Sequence, residues 1–367
     1  MLLAGALAPG LAQETKGPIS QEEFIRLLYQ LPKSPGMKAE LISEIRRRGI
    51  GFELTNGIRS IVATKSGNDA ELRRTLEEAA RRKANPTASA LPPAAEGREV
   101  LARSRAATLE AAEKMPDFVV KQLITRSYAR GATRNWTVAD RLTIAVSYRA
   151  GAGEQYKLLA VNGLPTGQEE QESNSYEKVG GTSSTGEYVS MLKALFAEET
   201  KADFKMVDTD LLRGRRAIVY EFVVKLENSR QTIKAAAMGA GDQVITVGYR
   251  GRVWIDRENY RVLRMEEVAT DIPADFPVSA ASSTIDYDWV TISEQQYLLP
   301  TRAIIELTAS RGPLAYQTRN DIRFRNYQKY GSEVRIIDDV DEMELPEDKE
   351  KKPQPLEDKE KKPQEER

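Results

Sequence analysis

The stretch that decides the fold is YRGRVWIDRENYRVLRMEEV, residues 249–268, in which two segments rich in Val, Ile, Tyr and Trp flank the polar sequence Asp256–Asn259. In the first segment Tyr249 has one parity, and Arg250 and Arg252 have the other. Because successive side chains of a β-strand point to opposite faces, this alternation predicts a strand with one buried and one wetter face. The stretch therefore predicts two neighbouring strands joined by a turn at Asp256–Asn259.

The same period of two recurs between residues 118 and 337. Apolar residues share one parity in 136–149, 217–226, 297–307 and 320–327. About ten such strands, joined mostly by short turns, are predicted, and one apolar face per strand favours an antiparallel sheet covered on one side. Helices predicted at about Arg98–Lys114 and over 187–198 are the available cover. The predicted fold class is α+β, with a small N-terminal helical module followed by a large curved antiparallel sheet, a half-barrel, packed over two helices.

The helical module is predicted over residues 18–84, where apolar residues recur at helical spacing. Ser20 and Glu23 have the spacing of a capping box at the start of the first helix. Three further short helices follow, and Asn68 or Asp69 caps the last one. Four short helices are typical of an interaction module, and a structural appendage without a partner fits the pattern equally well.

Composition divides the rest of the chain. Residues 85–97 are rich in Pro, Ala and Ser and predict a linker to a sheet domain over 98–341. Residues 342–367 contain EDKEKKPQ twice and almost no apolar residue, which predicts a disordered charged tail. Residues 1–17 are interpreted as a signal-peptide remnant and an N-terminal arm.

The composition also limits the chemistry. Lys and Arg number 54 against 55 Asp and Glu, so the formal net charge is −1 and no nucleic-acid partner is expected. The chain contains no His and no Cys, which excludes Ser-His-Asp and Cys-His catalysis, imidazole or thiolate metal sites, and disulfides. Carboxylate, Lys, Tyr and Ser groups remain, but they form no catalytic constellation. We therefore expect no enzyme activity, no metal site and no cofactor.

The N-terminal sequence predicts export. The apolar run Leu2–Leu11 has the length of a signal-peptide core, and Gly10-Leu11-Ala12 is a small-x-small cleavage pattern. The usual positive segment before it is missing, which a start codon placed too late explains. We expect cleavage after Ala12 and a periplasmic or secreted location in a Gram-negative-type bacterium. No other segment approaches the roughly 20 apolar residues of a membrane-spanning helix.

Several polar motifs have a functional and a structural interpretation, and the structural one is favoured. GGTSSTGE, residues 180–187, lacks the Gly-Lys-Ser/Thr ending of a P-loop and predicts a loop with Thr185 capping the next helix, rather than an anion site. Asp286 and Asp288 share one strand face, where solvation or pairing with Arg is favoured over acid–base or cation-binding roles. DDVDE, residues 338–342, lacks the glycine and distal glutamate of an EF-hand and begins the acidic tail.

The basic runs Arg46–Arg48 and Arg81–Lys83 are interpreted as solvated helix faces. A set of aromatic side chains could line a ligand cavity, although an ordinary core needs the same residue types. The candidate lining residues are Tyr220, Phe222, Tyr249, Trp254 and Trp289.

Five segments carry a resemblance to known proteins, namely MPDFVVKQLITRSYAR, EQYKLLAVNGLPT, GGTSSTGEYVSML, YRGRVWIDRENYRVLRMEEVATDIPADFPV and TIDYDWVTISEQQYLLPTRA. Together they resemble a family of uncharacterised, predicted-secreted bacterial proteins. The resemblance covers most of 98–337. More distantly, GRVWIDRENYRVLR is similar to a hairpin of periplasmic carriers of the LolA/LolB and RseB type. That likeness implies a half-barrel around helices with an apolar concave side for acyl chains, and it transfers no ligand-binding residue.

Two functions remain open from the sequence. The first is a non-enzymatic periplasmic or secreted binding protein that holds a lipid or other apolar ligand on a curved sheet. The alternative is an envelope scaffold or sensor whose helical module, residues 18–84, docks a protein partner. An open apolar groove would favour the carrier, and a filled core would favour the platform.

Overall fold

The computed structural model describes residues 17–34, 37–67, 69–86, 90–131, 134–150, 152–167, 176, 182–183, 190–237, 241–309 and 316–330. The chain divides into two units, Met1–Ser332 and Glu333–Arg367, and all that follows concerns the first. The predicted leader, most of the 180–187 loop, the 338–342 motif and the predicted tail at 342–367 lie outside the described residues.

Four helices with their own apolar core form the N-terminal part, α1 (Gln21–Gln30), α2 (Met37–Arg48), α3 (Asn56–Ser66) and α4 (Ala70–Ala84). The Ser20 hydroxyl accepts a hydrogen bond from the Glu23 amide at 3.2 Å, as the capping box predicts. Asp69, rather than Asn68, caps α4 by accepting from the Leu72 amide at 2.9 Å. We call these four helices, residues 18–84, the helical module.

Eleven strands form one open, entirely antiparallel sheet in the order β4-β3-β2-β1-β13-β12-β11-β10-β9-β6-β5. The α+β class is therefore confirmed. The strands are β1 (Phe118–Arg130), β2 (Thr137–Arg149), β3 (Gly153–Val161), β4 (Leu164–Pro165), β5 (Asp203–Leu212), β6 (Arg215–Val224), β9 (Gly248–Asp256), β10 (Val262–Thr270), β11 (Val278–Ile292), β12 (Gln295–Ala309) and β13 (Tyr316–Lys329).

Between β6 and β9 the chain forms a separate two-stranded ribbon. It consists of β7 (Thr232–Ala237) and β8 (Gly241–Thr246), which pair with each other and do not join the main sheet. The prediction of about ten strands named none in particular at 232–246, where three consecutive alanines, 235–237, interrupt the alternation of a half-buried strand.

The main core lies on one side of the sheet, which we call the inner face. Within the described ranges, the helices that cover this face are α5 (Ala94–Glu113) and α6 (Ser190–Phe196). Helix α5 begins four residues before the predicted Arg98. The Pro-Ala segment that was interpreted as a linker ends in Pro93, and Ala94, Ala95 and Glu96 then form the first turn because Ala and Glu are good helix formers.

The opposite, outer face of the sheet is only partly exposed to solvent. Val219 of β6, Trp254 of β9 and Leu263 of β10 form a small buried cluster there. The helical module packs over this region through Arg74, Arg81 and Arg82 of α4. The interpretation of Arg81–Lys83 as a solvated face is therefore wrong for two of its residues, because their guanidinium groups pair with carboxylates of β5.

Candidate functional site

The turn between β9 and β10 is built around Asp256. The Asp256 carboxylate accepts hydrogen bonds from the amides of Glu258 at 2.8 Å and Asn259 at 3.2 Å. Its second oxygen accepts from Arg215 at 3.0 Å. An aspartate that bonds amides two and three residues ahead is a common turn former, so the polar sequence at 256–259 makes the turn predicted for it.

This turn holds α5 against the inner face. Arg257 donates to the Glu96 carboxylate at 2.6 Å, and Arg261 donates to the backbone oxygen of Ala107 at 2.9 Å. Arg103 of α5 donates to the Tyr260 hydroxyl at 3.1 Å, and its guanidinium lies 4.8 Å from the centre of the Tyr260 ring. These contacts lie in the first turn of α5, at its middle and one turn further on, so the turn holds the helix from Glu96 to Ala107.

Three of the five predicted lining residues lie together on the inner face, under α5 and α6. Tyr220, Phe222 and Tyr249 are at most 2% exposed. The rings of Phe222 and Tyr249 are 6.1 Å apart, and a row of rings continues through Phe204 to Phe196 of α6 at 6.1 and 5.7 Å. Burial raises the pKa of both tyrosines. The set is a packed aromatic row in this structure.

The other two predicted lining residues lie elsewhere. Trp254 is on the outer face, where its indole donates to Asp210 at 2.9 Å and Arg74 lies 5.4 Å from its ring centre. Trp289 of β11 is half-buried, with the Arg261 guanidinium 5.6 Å from its ring centre. The structure therefore does not bring Trp254 to the same surface as Tyr220, Phe222 and Tyr249.

The side of α5 that faces the sheet is small and partly polar. The backbone oxygen of Gly97 accepts from the Tyr220 hydroxyl at 2.7 Å, and a side chain at Gly97 would meet Met206. Ser104 and Thr108 are buried further along the same helix. Among the described residues their hydroxyl groups have no hydrogen-bond partner, and an unsatisfied buried hydroxyl costs stability. Helix α5 thus covers the aromatic surface with a mixture of buried apolar and polar positions, Val100 among the former and Ser104 and Thr108 among the latter.

A network of ion pairs joins α4 to the outer face. Arg74 lies 3.4 Å from Asp210 and 2.9 Å from Glu266, and Arg82 pairs with Asp208. A polar cleft of about 20 Å³ lies inside this contact, which is room for about one water molecule. The module is therefore attached by charged side chains that are largely removed from water.

Burial raises the pKa values of buried acidic groups on both faces of the sheet. The pKa values of Glu78 and Asp210 are raised, chiefly because the carboxylates are desolvated, and neighbouring hydrogen bonds from Arg81 and Trp254 offset this in part. On the inner face, burial raises the pKa of Glu267 to about 7. The Gln231 amide donates to both Glu267 oxygens at 3.0 and 3.1 Å.

Contacts within β5 and one contact from the module protect the free edge of the sheet. The amides of Thr209 and Leu211 donate to the carboxylates of the residues before them, at 2.7 and 2.8 Å. The backbone oxygen of Thr209 accepts from Arg82 at 3.2 Å. Edge strands are pairing sites for other chains unless they are blocked, and these contacts block this part of β5.

The aspartates of TIDYDWV lie in an Arg-paired face, as predicted. Asp286 accepts from Arg264 at 2.7 Å through both oxygens and from Arg213 at 3.1 Å, and Asp288 lies 3.8 Å from Arg213. Across the described ranges, no cluster of three or more acidic residues has the arrangement of a metal site. No helix in the described part of the chain has the length and apolarity to span a membrane.

Sequence reasoning missed the residues that join the module to the sheet. Arg74 and Glu266 are 192 positions apart, so no local pattern connects them. One signal was present in the opening stretch, because Trp254 has the parity of Arg250 and Arg252. A large apolar residue on a predicted wet face indicates that something covers that face.

Comparisons with known proteins add only distant structural similarities. No protein-family model matches the chain, and no curated protein matches it. A DUF1329 family protein from Desulfovibrio piger is 11% identical, with a TM-score of 0.28, over 63% of this chain and 95% of its own. A putative outer membrane lipoprotein-sorting protein domain from Vibrio parahaemolyticus is 11% identical, with a TM-score of 0.28, over 60% and 94%.

A chain of the Pseudomonas aeruginosa MucA/MucB complex is 8% identical, with a TM-score of 0.18, over 61% of this chain and 94% of its own. Similarities at such TM-scores assign no function to this chain.

Proposed function

We propose that the protein is a non-enzymatic scaffold of the bacterial envelope, in which the helical module and the sheet act as one body. The observation that carries the proposal is the packing of aromatic side chains on the inner face under α5 and α6. Tyr220, Phe222 and Tyr249, the side chains that would line a ligand groove, already pack against one another and against α5 and α6. An open apolar groove would favour a carrier, and this packing instead favours a scaffold.

The attachment of the module supports the same proposal. Residues of α2 and α4, among them Ile45 and Arg82, line the contact with the sheet. The α1 side of the module is then the surface for a protein partner, and it carries Tyr29, which is 52% exposed. The envelope location rests on the leader predicted at Leu2–Ala12, and the absence of enzyme activity rests on the lack of His and Cys.

Native mass spectrometry of the full chain, purified from its own envelope, tests the filled core. We expect the mass of the bare chain, and no saturable change in Trp emission when a fluorescent fatty acid is titrated into it. A retained acyl ligand would instead support a carrier. To test the partner surface, a photo-crosslinking amino acid replaces Tyr29, with Leu164 of the sheet, 73% exposed, as the control position. A partner crosslinked equally at both positions would contradict docking through the module.

A second candidate is a carrier of an apolar ligand, for which α5 is a removable cover. The observation in its favour is the pair of hydroxyls on α5, Ser104 and Thr108, that are buried without a partner among the described residues. The turn also contacts the helix through half-buried arginines, Arg257 and Arg261. Displacing α5 would expose the aromatic row beneath it to a lipid or similar ligand.

The absence of Cys from the chain makes this candidate directly testable. A Glu96→Cys and Arg257→Cys pair, joined by a short cleavable bis-maleimide, ties α5 to the turn. The carrier predicts fatty-acid binding that is lost on crosslinking and restored on cleavage, with each single-cysteine variant as a control. If no fatty acid binds in either state, or if binding is the same with and without the crosslink, the result favours the scaffold.

A further inference from the structure

One end of the sheet exposes aliphatic side chains that the fold leaves uncovered. Val223 of β6 and Val268 of β10 are 47% and 45% exposed, and both lie directly opposite Arg250 of β9 on the outer face. Leu226, 41% exposed, follows at the end of β6, and Val244 of the ribbon is 59% exposed. The β7–β8 ribbon connects the end of β6 to the start of β9 and so extends from this end of the strands. We call these four residues together with Arg250 the β6–β10 tip.

Charged side chains next to the tip pair with one another, whereas within the described part of the chain the cations at the tip do not, and the Asp271 carboxylate lies beside Gly248 at the same end of β9. One step along the strands, Glu221, Arg252 and Glu266 alternate in charge across β6, β9 and β10. At the tip, Arg250 stands between two valines, and the exposed Lys225 and Arg230 follow on the chain. Among the described residues, none of these three cations forms an ion pair. Residues 223–234 contain three basic residues and one acidic residue, Glu227.

We propose that the β6–β10 tip is a contact surface for an anionic lipid bilayer. Exposed aliphatic side chains interspersed with cations are the chemistry that interfacial membrane binding uses, because the apolar groups enter the acyl boundary while the cations meet the headgroups. The long stem of Arg250 lies between the valines and can extend its charge to the headgroups. Protein-binding hot spots are instead enriched in Trp, Tyr and Arg, and Val and Leu are under-represented there. The proposal goes beyond the scaffold function and does not depend on it.

The test is co-sedimentation of the full chain with vesicles. Vesicles of phosphatidylglycerol and phosphatidylethanolamine should bind the protein at low ionic strength, and added salt should weaken binding. Pure phosphatidylcholine vesicles should bind far less. Removing one cation by Arg250→Gln should reduce partitioning about fivefold, and Val244→Asn should reduce it severalfold. Both substitutions are at exposed positions, so the fold should persist, which circular dichroism checks.

The matched controls are Arg141→Gln and Val138→Asn on β2, where both side chains are exposed. Their partitioning should equal that of the unaltered chain. Failure to bind anionic vesicles, binding that ignores lipid charge, or equal losses in the controls would each overturn the proposal. A change of sedimenting mass in the Val244 variant without lipid would assign the tip to a second copy of the chain and would also overturn it.

Discussion

Replacing Glu267 by Gln should remove a pH dependence from the stability of this protein. Glu267 of β10 is 8% exposed on the inner face, and burial raises its pKa to about 7 from an ordinary value of 4.5. The folded state therefore binds this proton more tightly than the unfolded state does. Its contribution to stability is fully present below pH 4.5 and is lost as the pH rises towards 7.

The change in the free energy of unfolding follows from the pKa shift of Glu267. A difference of about 2.5 pKa units corresponds to about 3 kcal/mol between acid and neutral pH, as an upper estimate for one group. Gln keeps the neutral form at every pH and can still exchange a hydrogen bond with Gln231. We expect Glu267→Gln to be about as stable as the unaltered chain at pH 4.5, and more stable by about 1–3 kcal/mol at pH 8.

Urea unfolding followed by Trp emission between pH 4.5 and 8 measures this difference. Other buried carboxylates, such as Glu78 and Asp210, also have raised pKa values, so the relevant quantity is the difference between the variant and the unaltered chain. Glu221→Gln is the control, because Glu221 lies on the outer face beside Arg252 with its side chain 45% exposed. Parallel stability curves for Glu267→Gln and the unaltered chain would refute the reasoning.

Three further predictions concern packing. Gly251→Ala should destabilise the fold by about 3 kcal/mol, because a Cβ there would lie 1.9 Å from the Glu266 backbone oxygen. Gly167→Ala, with open space around it, should be neutral in the same urea assay. Arg82→Ala should cost about 1–3 kcal/mol and increase light scattering, because it unpairs Asp208 and the Thr209 oxygen at the sheet edge; an effect no larger than that of exposed Arg47→Ala would contradict this. Truncation at Glu342 should leave the melting temperature nearly unchanged, and a large drop would mean that the tail contributes to folding.

The local features of the fold were predictable because they depend on neighbouring residues. Parity placed Tyr249 and Val253 on the buried face of β9 and Arg250 on the other. The capping box at Ser20 and the turn at Asp256 were likewise local, since each is a side chain bonding amides two or three positions away. Such contacts leave a pattern that the sequence alone displays.

The cover of the outer face was not predictable in the same way. Arginines on a helix look solvated unless their carboxylate partners are known, and the partners of α4 lie more than a hundred residues away. The sequence did contain an indirect sign in β6, where Ala217, Ile218, Val219 and Tyr220 are consecutively apolar. A run without alternation is typical of a strand buried on both faces, and Val219 is in fact buried on the outer one.

The β9–β10 hairpin connects the two candidate functions because it holds both covers of the sheet. Its turn binds α5 through Arg261, and its outer face binds the module through Glu266. Gly251 lets the two strands approach so closely that they are expected to move together. In a scaffold, amides of the turn and of the outer-face contact should therefore exchange hydrogen with similar protection. In a carrier, α5 must separate from the turn while the ion pair between Glu266 and Arg74 persists. An apolar ligand should therefore accelerate amide hydrogen exchange near Arg261 and leave it unchanged near Glu266. Hydrogen exchange with and without a fatty acid distinguishes the two, since acceleration at both places would mean that the whole hairpin opens and would contradict a removable α5.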